Sequence, residues 1–196
     1  MTQVDKSADI PIGNTRVRSM NPKKFGLWLF MISVVMIFAS LTSAYVVKKA
    51  TGNWSLIEFP SLFNVTSVLI VLSSLSIHFS YLSAKKNNLL NIRIGLVVTG
   101  LLAISFTIGQ YLSWGQLVDQ QVFFVGNASG SFIYVFTGLH VAHLFGGLIF
   151  LAVVLYNSFK YRVHSKSLAQ IEMCVTYWHF LGGLWLYLYL FLVLNN

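Results

Sequence analysis

Five side chains could do chemistry in a setting that rarely tolerates them. His78, His140, His143, Glu172 and His179 all lie in or at the edge of long apolar stretches. His140 and His143 are three residues apart, and Gly147 follows seven after His140, so on a helix the three share one side. Glu172 and His179 are also seven apart. If the two stretches run antiparallel, His143 and His179 differ in depth by only about 6 Å, with Glu172 about 10 Å nearer one end. The expectation is a cluster of His140, His143 and His179 near mid-depth.

Three chemistries fit such a cluster. Three imidazoles could converge on a metal ion, although no nearby carboxylate completes a familiar ligand set. Two could clamp a haem, but the pair on one helix cannot reach opposite faces of the ring. The third reading is a buried hydrogen-bond network that fixes how neighbouring helices dock, and it asks least of these residues. No serine has a carboxylate-oriented histidine beside it, and no glycine-rich phosphate loop is present. The lone cysteine, Cys174, has no partner for an internal disulfide and reads as a small packing residue.

The elements that must carry these groups follow from composition. Charged residues are 9% of the chain, hydrophobic residues 56%, and the mean hydropathy is +0.72. Soluble domains carry about a quarter charged residues, so the medium around this chain is lipid. The charges divide the sequence into charge-free windows at 25–47, 59–84, 94–118, 120–159 and 173–196. Each holds the roughly 20 apolar residues that a membrane-crossing helix needs. The alternating short segments of a β-barrel are missing. The prediction is an all-α integral membrane protein, a bundle of five transmembrane helices at about 25–47, 62–84, 92–114, 131–157 and 171–194.

Residues 1–24, with Pro11, Gly13 and Pro22, read as a flexible polar tail without the apolar core of a signal peptide. Gly52, Asn53 and Pro60 mark one loop, and Gly115–Gly130 another. Trp54 and Trp114 fit an interfacial aromatic belt. The sequon at Asn127 carries no functional weight. Ser73, Ser74, Gly146, Gly147, Gly182 and Gly183 have the small size that lets helices approach closely in lipid.

Net charge is +8, but its distribution argues against a nucleic-acid partner. Lys6, Arg16, Arg18, Lys23, Lys24, Lys85, Lys86, Arg93, Lys160, Arg162 and Lys166 fall on one side of the predicted topology, and only Lys48 and Lys49 on the other. The positive-inside rule then places the N-terminus inside and the C-terminus outside. Without an inverted pair of broken helices or polar residues along one whole helix face, an independent transporter is the weaker alternative. An intramembrane metal enzyme built on the histidines is the other.

Longer strings carry a resemblance. The first helix reads Gly26-Leu-Trp28-Leu-Phe30, then Ser33, Val35, Met36 and Ser43-Ala-Tyr45. Asn64 and Ser73-Ser74 follow in the second helix, and Gln110 in the third. The fourth has Thr137-Gly-Leu-His140-Val-Ala-His143 with Gly147, and the fifth has Glu172, then Tyr177-Trp-His-Phe180 and Trp185. This pattern, from about residue 26 to 192, resembles subunit III of the haem-copper terminal oxidases in its five-helix bacterial form. Three positions depart from it. Val34 and Ser113 stand where the family has acidic residues, and Gly182 stands where it has aspartate.

The resemblance implies an accessory subunit in a bacterial inner (plasma) membrane with no catalytic, metal or cofactor site of its own. Haem and copper would lie in partner subunits. It would pack on the catalytic subunit I, beside subunit II, of a cytochrome c oxidase or, alternatively, a quinol oxidase, and sustain stability and proton uptake while oxygen is reduced to water. His140, His143, Glu172 and His179 would form a structural polar network or subunit contact. Trp28, Tyr177, Trp178 and Trp185 would be lipid or interface contacts, with bound phospholipid a possible ligand.

Overall fold

The structure, a computed structural model, describes residues 22–52, 54, 57, 60–86, 88–160 and 168–195. Most of the expected tail (residues 1–21), together with Arg162 and Lys166, lies outside the described residues. Five helices account for nearly all of the rest. They are α1 (Pro22–Ala50), α2 (Leu62–Lys85), α3 (Leu89–Asp119), α4 (Ala128–Phe159) and α5 (Leu168–Leu194). All five are long and apolar enough to cross a membrane. In lipid a backbone must satisfy its own hydrogen bonds, which is why nothing but helix fills these stretches.

Each helix covers its expected span and runs beyond it at one or both ends, α2 by a single residue and the others by about a turn or so. Asn88 begins α3 three residues early, because its side chain accepts from the Asn91 N–H at 3.4 Å. Asn127 does the same for α4, accepting from the Ser129 N–H at 3.1 Å. At the other end of α3 the expected loop from Gly115 is instead helix as far as Asp119. The chain turns only at Gln121 (φ 61°) and Gly126 (φ 129°), where the left-handed backbone favours a residue without a Cβ.

Helices α2, α3, α4 and α5 form a ring in which each packs on the next, α5 closing back on α2. Helix α1 stands outside the ring and leans on the seam between α4 and α5. Its buried residues, Met31, Val34, Phe38, Thr42 and Tyr45, recur at helical spacing along one face. The opposite face, including Trp28, Ile32, Val35 and Met36, is exposed and apolar, as lipid contact requires.

The most extensive contact is the hairpin of α2 and α3. A Cβ built on Gly95 would lie 2.2 Å from Ser80 Oγ, so only glycine admits this approach. Ser76 and Ser80 use the proximity to donate to the carbonyls of Gly95 (3.0 Å) and Ile92 (3.1 Å). Helix α5 meets α2 in the same manner. A Cβ on Gly182 would stand 2.8 Å from Ser74 Oγ, so glycine in place of the family's aspartate makes room here.

The two belt tryptophans face protein. Trp54 packs edge-on against Tyr45 with ring centroids 4.6 Å apart. Trp114 donates to Thr137 Oγ1 at 3.0 Å across the α3–α4 seam. Trp114 thus satisfies its indole N–H, whereas Trp54 makes ring contacts and its Nε1–H has no hydrogen-bond partner among the described residues.

Candidate functional site

The five ionisable residues occupy four places, with His78 and His179 sharing one. His140 on α4 is fully buried in the ring, against Trp185 of α5 (5.1 Å between centroids) and Phe106 of α3 (5.9 Å). Trp185 is held in turn by its Nε1–H, which donates to Ser67 Oγ of α2 at 3.0 Å. Two turns nearer the N-terminus of α5, Trp178 Nε1–H donates to Ser73 Oγ at 2.8 Å. Two indoles of α5 thus plug into two serines of α2, and both rings are buried.

His143 faces elsewhere. Three residues advance a helix by 300°, which leaves His143 about 60° round from His140. On a helix at the junction of several neighbours that angle suffices to change partners. The His143 ring packs between Phe30 (6.2 Å) and Phe38 (5.8 Å) of α1. Its Nδ1 lies 2.7 Å from the Leu139 carbonyl, which can only accept, so Nδ1 carries the proton. The His143 carbonyl accepts from Tyr177 O–H at 3.1 Å. Gly147 remains on the His140 side, and a Cβ there would come within 2.9 Å of Leu181 Cδ1.

His179 lies on the outside of the ring. It is exposed, borders a groove of about 410 Å³ between α1 and α5, and has its ring 5.7 Å from that of His78 on α2. His78 is likewise exposed. Glu172 is farther along α5, where it accepts from Lys24 Nζ of α1 at 2.8 Å. With both side chains more than two-fifths exposed, this pair contributes little to stability.

The structure therefore does not gather His140, His143 and His179 into one cluster. Among the described residues, no three of His, Cys, Asp and Glu come close enough to hold a metal ion. The residues serve three seams: α3–α4–α5 for His140, α1–α4 for His143, and α1–α5 for Glu172. His179 belongs to the outer surface with His78, an alignment that the spacing within single helices does not reveal. Of the aromatic residues singled out, Trp178, Trp185 and Tyr177 are interior and only Trp28 is exposed.

One further centre was not anticipated. Tyr45 packs with Trp54, Phe132, Phe136 and Phe191 at 4.6 to 6.1 Å, and its O–H donates to the Asn195 carbonyl at 3.1 Å. Lys49 Nζ donates to the same carbonyl. This aromatic clasp ties α1, α4 and α5 at the end opposite Lys24 and Glu172. A wider groove of about 750 Å³ opens beside it between α1 and α4, apolar along Leu41, Ala44, Val47 and Phe132, with Lys48 among its lining.

Comparison with known proteins agrees with this architecture. The family description of cytochrome c oxidase subunit III matches residues 8–195. The chain is 30% identical over 181 residues to the cytochrome bo(3) ubiquinol oxidase subunit 3 of Buchnera aphidicola subsp. Schizaphis graminum, covering 90% of this chain and 95% of the relative. It is 26% identical over 177 residues to cytochrome c oxidase subunit 3 of Corynebacterium diphtheriae, covering 87% and 86%. With five membrane-crossing helices and bacterial relatives, this is a multi-pass bacterial membrane protein. The chain belongs to the cytochrome c oxidase subunit III family, the third subunit of haem-copper oxidase complexes.

Proposed function

We propose that the chain is an accessory, non-redox subunit that packs on catalytic subunit I of a proton-pumping oxidase, beside subunit II, and sustains its stability and proton uptake during reduction of oxygen to water. The observation that carries this reading is the dispersal of the ionisable residues. Each imidazole or carboxylate lies at a helix seam or on the outer surface, and in this reading electron chemistry belongs to other polypeptides, which would hold the haem and copper. In the proposed topology the N-terminus is inside, since Lys24, Lys85, Lys86, Arg93 and Lys160 collect at one end of the bundle.

His78 and His179 supply the contact with the catalytic subunit. Two exposed imidazoles about 10 Å in from Lys85 and Glu172 are costly against hydrocarbon, and a protein surface offering hydrogen-bond partners removes that cost. The α1–α4 groove takes a phospholipid acyl chain, with Lys48 beside the headgroup phosphate.

The electron donor is cytochrome c in this reading. A second reading, ubiquinol, is favoured by the 30% identity to a bo(3) oxidase subunit. Purification of the native complex through a tag on this chain tests the assignment. A haem-copper subunit should co-purify, and oxidation assays with reduced cytochrome c and with ubiquinol separate the two donors. His179→Ala should weaken assembly or endurance under turnover and leave the oxidase's optical spectrum per complex unchanged. A redox centre bound stoichiometrically by this chain alone would overturn the proposal.

A further inference from the structure

The interior of the ring holds two side chains whose polar atoms have no role so far. Gln110 of α3 is 1% exposed and His140 of α4 is fully buried. Among the described residues, neither the amide oxygen and nitrogen of Gln110 nor the two ring nitrogens of His140 meet a hydrogen-bond partner. The other polar groups nearby are committed. Trp114 donates to Thr137, Thr137 to the Ile133 carbonyl at 2.8 Å, and Ser113 to the Gly109 carbonyl at 2.8 Å.

Register places the two unpartnered side chains at one level. The Trp114–Thr137 bond pairs α3 with α4, and about two turns further in along α3 and one along α4, the Phe106 ring meets the His140 ring. Gln110 lies four residues before Trp114 and four after Phe106 on the same face of α3, and His140 lies one turn from Thr137 and meets Phe106, so on the two antiparallel helices both fall at the level bounded by those contacts. Phe106 and Trp185, crossed edge to face at 5.0 Å, wall that interval off on one side.

Four polar atoms left bare in so apolar an enclosure would each carry an uncompensated desolvation cost. A direct contact between the amide and the imidazole would satisfy one atom of each and leave two. Apolar packing cannot satisfy those two, whereas water, which both donates and accepts, can. We propose that Gln110 and His140 together bind one or two internal water molecules between α3, α4 and α5. The neutral imidazole offers one donor and one acceptor, and the amide offers both, so a bridging water can make the three bonds usual for buried water. The site is independent of any partner subunit and of the functional reading above.

Density at a resolution that shows ordered water, recorded on the intact native complex, tests the proposal. Density within hydrogen-bond distance of both side chains is the expected result. Side chains that contact each other or other protein groups, with nothing between them, would overturn it. A second measurement avoids dependence on map quality. Magnetisation transferred from water protons should reach the His140 ring nitrogens in isotope-labelled complex, and Gln110→Leu should reduce that transfer at least several-fold. No transfer in the parent complex would also overturn the proposal.

Discussion

Trp178 of α5 and Ser73 of α2 share a buried hydrogen bond of 2.8 Å, Nε1–H to Oγ, although 105 residues separate them in sequence. Ser73→Ala removes the acceptor of the buried Trp178 indole N–H. The expected cost is about 1 kcal/mol, in line with hydrogen bonds between membrane helices. Trp178→Phe in the same background should add less than it does alone, because the shared bond is lost only once. Heat-induced loss of this subunit from the purified complex, followed for the two single variants and the double, measures that coupling.

Gly95 is a steric test of the α2–α3 hairpin. Gly95→Ala brings a Cβ to 2.2 Å from Ser80 Oγ, and the helices must separate or Ser80 must rotate. Overpacking of this kind costs about 1–3 kcal/mol. Gly95→Leu should prevent accumulation of the folded subunit altogether. Combining Gly95→Ala with Ser80→Ala removes the clashing hydroxyl and should restore part of the loss. Membrane levels of tagged variants, compared with the parent, report the order.

The pair of Lys24 with Glu172 predicts a small effect. Glu172→Gln keeps the shape and removes the charge, and an exposed pair of this kind is worth less than about 1 kcal/mol. Thermal loss of the subunit should shift slightly at low ionic strength and not at all at high salt. A large, salt-independent shift would mean that Glu172 has a partner elsewhere in the assembly.

The outer face of α2 and α5 predicts a neighbour. A photo-crosslinking residue at His78 or His179 should capture the haem-bearing subunit in native membranes. The same probe at Leu101 or Ile108, exposed on α3, should capture lipid. Lipid adducts alone from His78 and His179 would remove the proposed contact surface.

Much of the architecture was legible because lipid leaves a chain few choices. Charge-free windows of sufficient length must be helices, and residues 25–47 or 171–194 could be little else. The ends were harder, since Asn88 and Asn127 extend helices by side-chain capping, which hydropathy does not register. The site was legible in its parts but not in its grouping. The 60° between His140 and His143 decides which helix each one meets, and that depends on the arrangement of neighbours around α4. The pairing of His78 with His179 depends on the packing of α2 against α5, a relation between distant stretches. The resemblance marked Gln110 as a position, but only the α3–α4 register sets it opposite His140.

Helix α1 finds its principal neighbours in α4 and α5, the last of the five helices to leave the ribosome. During synthesis the earliest span therefore waits in the bilayer with Val34, Phe38 and Tyr45 unpaired, while the α2–α3 hairpin can close as soon as it is made. Maturation of the subunit ends where translation begins, and a chain arrested before α5 would present a finished hairpin and an orphan first helix to whatever machinery oversees membrane insertion.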